Sequence, residues 1–139
     1  MLQVYFRNDV GVEVPVNTPI TFNETLIDTC DNGRLNAPTS QVPLFEEGSY
    51  LVEFNAVIDA SATGNVGVQM LVNGDEYPGG RTGLVAAATG APQSVSFSSI
   101  VHVKSGCCCV NQRKTLQFVI EGANANVHLA NVVITRVRG

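Results

Sequence analysis

The sequence is short of charged side chains. Lys, Arg, Asp and Glu together make up 14% of the 139 residues, whereas roughly 25% is usual in soluble domains. A monomer of this size needs a charged surface, so the shortage indicates that part of the surface is covered by copies of the same chain. We therefore expect a self-associating protein.

Basic clusters, long apolar runs and a leader are also missing. The longest basic run is Arg113-Lys114 and the net charge is -4, which argues against a basic nucleic-acid-binding face. No stretch approaches the roughly 18 consecutive apolar residues of a membrane span. Residues 1–7 lack the basic and apolar regions of a signal peptide. We expect a protein made in a bacterial cytoplasm that binds neither nucleic acid nor membrane.

Signatures of catalysis and cofactor binding are absent as well. No serine lies in a Gly-x-Ser-x-Gly pattern. His102 and His128 fall on the polar parity of their strands, and their spacing gives no reason to expect a neighbouring carboxylate. Asp75 and Glu76 are adjacent but lack the spacing of a dedicated calcium loop. We predict a protein that is not an enzyme and has no cofactor.

What the sequence does contain is alternation of apolar and polar residues, which is typical of half-buried strands. It recurs in the ranges 49–59, 65–72, 94–103, 116–121 and 127–137. In the first range the even positions are all apolar: Tyr50, Val52, Phe54, Ala56 and Ile58. Asn73-Gly74 is a strong hairpin signal. No apolar stripe of helical period persists, so about eight to ten antiparallel strands in a β-sandwich or barrel are predicted.

The chain is predicted to be one domain over residues 1–139. Residues 18–137 form the sandwich, and residues 1–17 hold an N-terminal strand region. The first strand would leave apolar side chains exposed unless it added to the sheet edge of a neighbour. The residues that we predict to dock in this way are Leu2, Val4 and Phe6.

Several strands carry apolar residues on both faces, which a sheet with one solvated face should not. In the last strand, the alternation assigns the core face to Val127, Leu129, Val133 and Val137. The second apolar face has to contact another molecule, and a threefold ring of copies would bury one sheet face of each. The residues predicted in this trimer interface are Leu51, Val57, Val132 and Ile134.

Segment 44–56 carries a resemblance to a known family. Gly48-Ser49-Tyr50 resembles the Gly-x-Tyr step that opens a long central strand in tumour-necrosis-factor-like and complement-globular-head-like jelly rolls. The strand and Asn-Gly turn of residues 66–74, and the serine-rich strand 94–103, are similar to that family too. The chain most resembles its bacterial and bacteriophage members, found on spore surfaces, fibre tips and virions. The resemblance implies a single-domain jelly-roll β-sandwich that forms a homotrimer and does not catalyse a reaction.

The four cysteines are the most reactive feature of the sequence. Cys30 stands alone, whereas Cys107, Cys108 and Cys109 are consecutive, where the bacterial and phage members tend to carry a cysteine cluster. Consecutive cysteines lack the spacing of a zinc knuckle. Three interpretations stay open: a disulfide from Cys30 to one of the three, free thiols in a surface loop, and a metal on the threefold axis held by a thiolate or His128 of each subunit.

The sequence therefore predicts a homotrimeric structural protein of a bacteriophage virion that decorates the head or tips a short fibre. Its partners would be its own copies and another virion protein that serves as the docking site. No collagen-like stalk precedes the domain, which favours this over a spore-surface protein. A second alternative is a carbohydrate-binding or adhesion module that contacts a host cell-surface glycan through a recognition loop containing Asp75, Glu76 and Tyr77.

Overall fold

The computed structural model describes residues 2–28, 38–44, 47–86, 88–104 and 114–138, and at 27, 28 and 138 it describes the backbone alone. Within these ranges, nine β-strands form two sheets. The strands are β1 Leu2–Val14, β2 Glu24–Asp28, β3 Val42–Leu44, β4 Gly48–Ala60, β5 Gly67–Val72, β6 Asp75–Arg81, β7 Gln93–Val103, β8 Lys114–Glu121 and β9 Ala125–Arg138. No helix long and apolar enough to cross a membrane is found in these ranges.

The two sheets are antiparallel throughout and pack face to face. One has the order β2-β1-β9-β4-β7, and the other has the order β3-β8-β5-β6. Strands that are neighbours in a sheet are mostly distant in sequence, as β1 and β9 are. This arrangement confirms the predicted single-domain jelly-roll β-sandwich.

The core between the sheets is built by the alternation that the sequence shows. All five even positions of β4 from Tyr50 to Ile58 are buried. At its centre the ring of Phe54 stacks on Phe118 and on Phe97, with centroids 5.1 and 5.4 Å away. Such aromatic pairs contribute about 0.5–1.5 kcal/mol beyond the area they bury. These rings join β4 and β7 of one sheet to β8 of the other.

The hairpin between β5 and β6 forms at Asn73-Gly74, as predicted. Both residues have positive φ angles, 52° and 86°, which a two-residue turn of the I′ type requires. The side-chain oxygen of Asn73 also accepts a hydrogen bond of 2.8 Å from the backbone N–H of Thr115. The turn therefore fixes the register of β5 with β6 and joins the hairpin to β8.

A β-bulge reverses the predicted parity of β9. Val57 pairs with Leu129 and Ile58 pairs with Val127, so His128 has no partner on β4. One extra residue shifts every later side chain to the opposite face of the sheet.

The core face of β9 beyond the bulge is therefore Ala130, Val132 and Ile134, which are at most 1% exposed. The prediction that Val132 and Ile134 lie in a trimer interface was wrong because both contact the chain's own core.

The N-terminal strand is an interior strand of its sheet. β1 pairs with β9 on one side and with β2 on the other. Leu2 is 6% exposed and Val4 is fully buried, while Phe6 packs against the core. The prediction that these three residues dock onto another molecule was wrong, because the partners of the strand come from the chain itself.

The parity of β9 can be tested with two isosteric substitutions. Val132→Thr places a hydroxyl in the core without a partner, and burial of such a group costs about 1–3 kcal/mol. Val133→Thr, one residue further, places it on the outer face and should change the free energy of unfolding by less than about 0.5 kcal/mol. Urea unfolding of dilute protein measures both, and equal losses would contradict the bulge.

Deletion of residues 1–9 should abolish the fold. The deletion removes the pairing of Leu2 to Arg7 with β9 and of Leu2 to Tyr5 with β2, together with the buried side chains of Leu2 and Val4. Circular dichroism should show no cooperative thermal transition for the truncated chain. A truncated chain that unfolds as the full chain does would show that β1 is dispensable.

Candidate interaction surface

The outer face of the five-stranded sheet is the surface that the chain's own core leaves uncovered. Its centre consists of two neighbouring rows on β4 and β9, in which Leu51 is opposite Thr135, Glu53 opposite Val133, Asn55 opposite Asn131 and Val57 opposite Leu129. We call these eight residues the outer patch. Because they alternate with core residues along both strands, they all point away from the second sheet.

The outer patch combines aliphatic side chains with uncharged polar ones. Its four aliphatic residues are half-buried, and Ile100 of β7, which pairs with Leu51, is 47% exposed. Glu53 is the one charged residue among the eight. An antiparallel sheet face in contact with water is usually dominated by polar side chains, so this composition is unusual for a solvated face.

Amide side chains extend the patch toward β1. Gln3 donates a hydrogen bond of 2.7 Å from Nε2 to Oδ1 of Asn131, and Tyr5 lies opposite Asn131 in the register. At the border Arg7 contacts Asp9 at 3.1 Å. This contact raises the pKa of Arg7, chiefly through the side-chain hydrogen bond. The pair is exposed and adds little stability, so it only delimits the patch.

Of the four residues that we predicted in the trimer interface, two lie on the outer face of the sheet, and their role in an interface stays a prediction. Leu51 and Val57 belong to the outer patch, whereas Leu129 and Val133 occupy the places assigned to Val132 and Ile134. The sequence did hold a signal for this exchange. After the bulge, the alternate residues that enter the core, Ala130, Val132 and Ile134, are all apolar. The residues between them include the polar Asn131 and Thr135.

The predicted recognition loop is divided in the structure. Asp75 and Glu76 are exposed directly after the hairpin turn. The Tyr77 ring packs against the core, and its hydroxyl donates a hydrogen bond to the carbonyl oxygen of Ile100. Tyr77 therefore joins β6 to β7 across the two sheets and does not stand free in a loop. A recognition role for Asp75 and Glu76 stays a prediction.

The four cysteines, Cys30, Cys107, Cys108 and Cys109, lie outside the described residues. The disulfide, the free thiols and the axial metal therefore stay predictions. The strands before them end on the same side of the sheet, since Asp28 of β2 pairs with Leu2 and Val103 of β7 pairs with Gly48, each near a strand start. β2 and β7 are the two edge strands of this sheet, with β1, β9 and β4 between them.

A polar pair that spacing alone did not predict lies at the other end of the sheet. Asp59 is 2% exposed, and its Oδ1 lies 3.5 Å from Nε2 of His128. The backbone N–H of Gly90 donates a 2.7 Å hydrogen bond to Oδ2 of Asp59. His102, by contrast, is exposed and contacts Ser49 Oγ at 3.0 Å. Within the described ranges, no three or more His, Cys, Asp and Glu side chains form a group that could hold a metal.

A depression of about 550 Å³ lies between the β4–β5 loop and Ala86, Ala88 and Thr89. Small side chains line it, and the described ones are Ala62, Thr63, Gly64, Asn65, Ala86, Ala88 and Thr89. None of them is aromatic. The depression therefore lacks the flat rings on which a sugar could stack.

Comparison with known proteins identifies the fold. No protein-family model matches the chain, and no curated protein matches its sequence. The structure of murine APRIL at pH 5.0 is 12% identical with a TM-score of 0.53, and the alignment covers 94% of this chain and 97% of APRIL. The pH 8.0 structure of murine APRIL is 18% identical with a TM-score of 0.52 and the same coverage. The CBM35 from Cellvibrio japonicus Abf62 is 14% identical with a TM-score of 0.46, and the alignment covers 96% of each chain.

These identities show the fold alone. APRIL belongs to the tumour-necrosis-factor family, so the chain has a tumour-necrosis-factor-like jelly-roll fold. The resemblance seen in the sequence is confirmed at this level. The bacterial and bacteriophage branch stays a prediction.

β1 also has a bulge, because its register with β9 shifts between Arg7 and Val12, and Gly11 in this bulge lies close to the His128 ring. This contact can be tested at two glycines of similar φ. Gly11 and Gly74 have φ angles of +85° and +86°, but an added Cβ would lie 2.9 Å from the His128 ring at Gly11 and in open space at Gly74. Both alanine variants strain the backbone by about 1–2 kcal/mol, and Gly11→Ala should lose more stability because of the ring. In a His128→Ala background the excess loss at Gly11 should fall to the small part that comes from Asn126, whose Cβ lies 3.3 Å from the added Cβ. Equal losses in the wild-type background, measured by urea unfolding, would contradict this contact.

Proposed function

We propose that this chain is a non-enzymatic structural protein that assembles into a homotrimer through the outer patch. We further propose that the trimer is a component of a bacteriophage virion, where it decorates the head or tips a short fibre. The observation that carries the proposal is the outer patch itself, in which four half-buried aliphatic residues surround a single charge. A sheet face of this kind gains stability when a second protein surface covers it.

The composition of the patch fits an interface between subunits. Interface centres are depleted in charged residues and enriched in apolar contact, with polar groups at the rim. Here the aliphatic rows of β4 and β9 form the centre, and the exposed serines of β7, Ser94, Ser96 and Ser98, lie on one side. The low charge of the whole chain supports the same conclusion, because a covered face needs no charged coat.

Three copies are proposed because of the geometry of closure and the resemblance. A patch on the sheet face that contacts a different part of the next copy generates a closed ring or an open filament. A closed ring stops the addition of further copies, and the loops of its subunits lie at its two ends. The resemblance to the tumour-necrosis-factor-like jelly rolls implies the threefold ring.

The proposed virion role is based on the loops that a closed trimer would present at its two ends. A rigid sandwich presents its loops at the ends of the strands, where recognition residues usually lie. The exposed Asp75 and Glu76 at the β5–β6 turn are at one such end. One end of the trimer would contact an acceptor protein of the particle, and the other end would face outward.

The glycan-binding alternative has less support in the structure. Among the described aromatic residues none is mostly exposed, since Tyr5, Phe6, Tyr77 and Phe97 are half-buried and the others are buried. The depression near Thr89 is lined by small side chains. Glycan binding is therefore tested together with the presence of the chain in phage particles.

The outer patch can be tested with one added charge. Val133→Lys places an ammonium opposite Glu53, where it can pair within the monomer, yet it should block burial of the patch. Gln117→Lys adds the same charge to β8 in the other sheet and serves as the matched control. In sedimentation velocity, the wild type and Gln117→Lys should sediment as three chains and Val133→Lys as one. A Val133→Lys protein that keeps the wild-type assembly would exclude the patch as the interface.

The virion role can be tested on particles. Phage particles purified from cells that carry the gene should contain the chain in copy numbers divisible by three, measured by quantitative mass spectrometry. Absence from purified particles would contradict the proposal. Absence combined with binding of the isolated protein to a glycan array would favour the adhesion module.

A further inference from the structure

Two buried polar atoms on the outer side of the five-stranded sheet have no hydrogen-bond partner: Oδ1 of Asp59 and Nε2 of His128. They face each other at 3.5 Å, and their side chains are 3% and 19% exposed, respectively. More than about nine in ten buried polar groups in proteins have a partner. Two orphaned atoms that point at one another therefore call for a shared explanation.

The second polar atom of each side chain is already positioned. Oδ2 of Asp59 accepts the 2.7 Å hydrogen bond from the N–H of Gly90, and Nδ1 of His128 lies 3.4 Å from the carbonyl oxygen of Asp9. A carbonyl only accepts, so Nδ1 must carry the hydrogen in this contact. In a neutral ring Nε2 then presents a lone pair. A lone pair of His128 would thus face a lone pair of Asp59, and the two repel unless a proton or a metal cation lies between them.

This pattern is the one found around metal ligands. A ligating histidine usually gives its other ring N–H to a backbone carbonyl or carboxylate, and ligating carboxylates are themselves hydrogen-bonded. Asp9 and Gly90 supply these two outer contacts here. The outer contacts orient Nε2 and Oδ1 toward a common point.

Glycine at position 11 allows the backbone of β1 to lie close to the His128 ring. A Cβ there would lie 2.9 Å from Cε1 and 3.1 Å from Nε2 of His128. The backbone of the β1 bulge therefore passes over the imidazole at a point where a side chain would collide with the ring.

A third donor stands next to the pair. Asn126 of β9 is directly opposite Asp59 in the register, and residues opposite each other in antiparallel strands have Cβ atoms about 4.5–5.5 Å apart. Its Cβ also lies 3.3 Å from the Cβ position that Gly11 leaves vacant. The side chain of Asn126 thus leaves the backbone next to Asp59 and His128.

We propose that Asp59, His128 and Asn126 bind one divalent transition-metal ion, of which Zn²⁺ is the best match. Zinc binds imidazole nitrogen and carboxylate oxygen at about 2.0–2.2 Å, so two tetrahedral ligands lie about 3.3–3.5 Å apart. The 3.5 Å between Nε2 and Oδ1 agrees with this spacing. The imidazole argues against Mg²⁺ and Ca²⁺, which take oxygen ligands.

The site would lie within one chain, so it differs from a metal shared on a threefold axis and does not depend on the proposed trimer. It would connect the two central strands β4 and β9 at the β9 bulge. The competing explanation is a direct hydrogen bond from a protonated Nε2 to Oδ1, and that explanation predicts no uptake of metal.

Zinc titration of the metal-free full chain, followed by calorimetry and native mass spectrometry, tests the proposal. Free thiols are alkylated first so that the cysteines do not take up the ion. The wild type should bind one Zn²⁺ per chain, and Asp59→Asn and His128→Gln should each weaken binding at least about 10-fold. His102→Gln removes the other, exposed histidine and should bind as the wild type does. No uptake by the wild type, or equal uptake by all four proteins, would overturn the proposal.

A second measurement uses the wild type alone and so does not depend on whether the variants fold. Nitrogen-15 NMR of the imidazole rings should show that Zn²⁺ shifts Nε2 of His128 and leaves both nitrogens of His102 unchanged. Unchanged resonances of His128 at saturating Zn²⁺ would exclude the site.

Discussion

The register of β9 against β4 is the constraint on which the rest of the structure depends. β9 lies between β1 and β4, and it pairs with both along most of its length. The bulge at His128 decides which of its side chains enter the core and which form the outer patch. Shifting the pairing by one residue would expose Val132 and Ile134 and bury Asn131 in the core, at a cost of several buried apolar side chains.

The same bulge connects the core, the outer patch and the polar pair. On the β4 side it leaves His128 without a strand partner, and on the β1 side the register also shifts between Arg7 and Val12. The displaced backbone of β1 passes over the imidazole at Gly11, and His128 lies beside Asp59. Two irregularities in pairing that meet at His128 thus account for the polar site on this sheet.

Features determined by neighbours along the chain were predictable from the sequence. The alternation of β4 identified its buried residues, and Asn73-Gly74 identified the hairpin, because each depends on a few consecutive side chains. The features that failed depend on distant pairing. β1 looked like a free edge because its partners, β2 and β9, come later in the chain. Asp59 and His128 meet only because β4 and β9 pair.

The central claim is that the outer patch is covered by copies of this chain in a ring of three. A native mass spectrum of the unreduced wild-type protein tests it most directly, because it counts chains without assuming a shape. The account predicts a dominant species of three chain masses. A spectrum of single chains at micromolar concentration would contradict it, since the aliphatic rows of β4 and β9 would then face water.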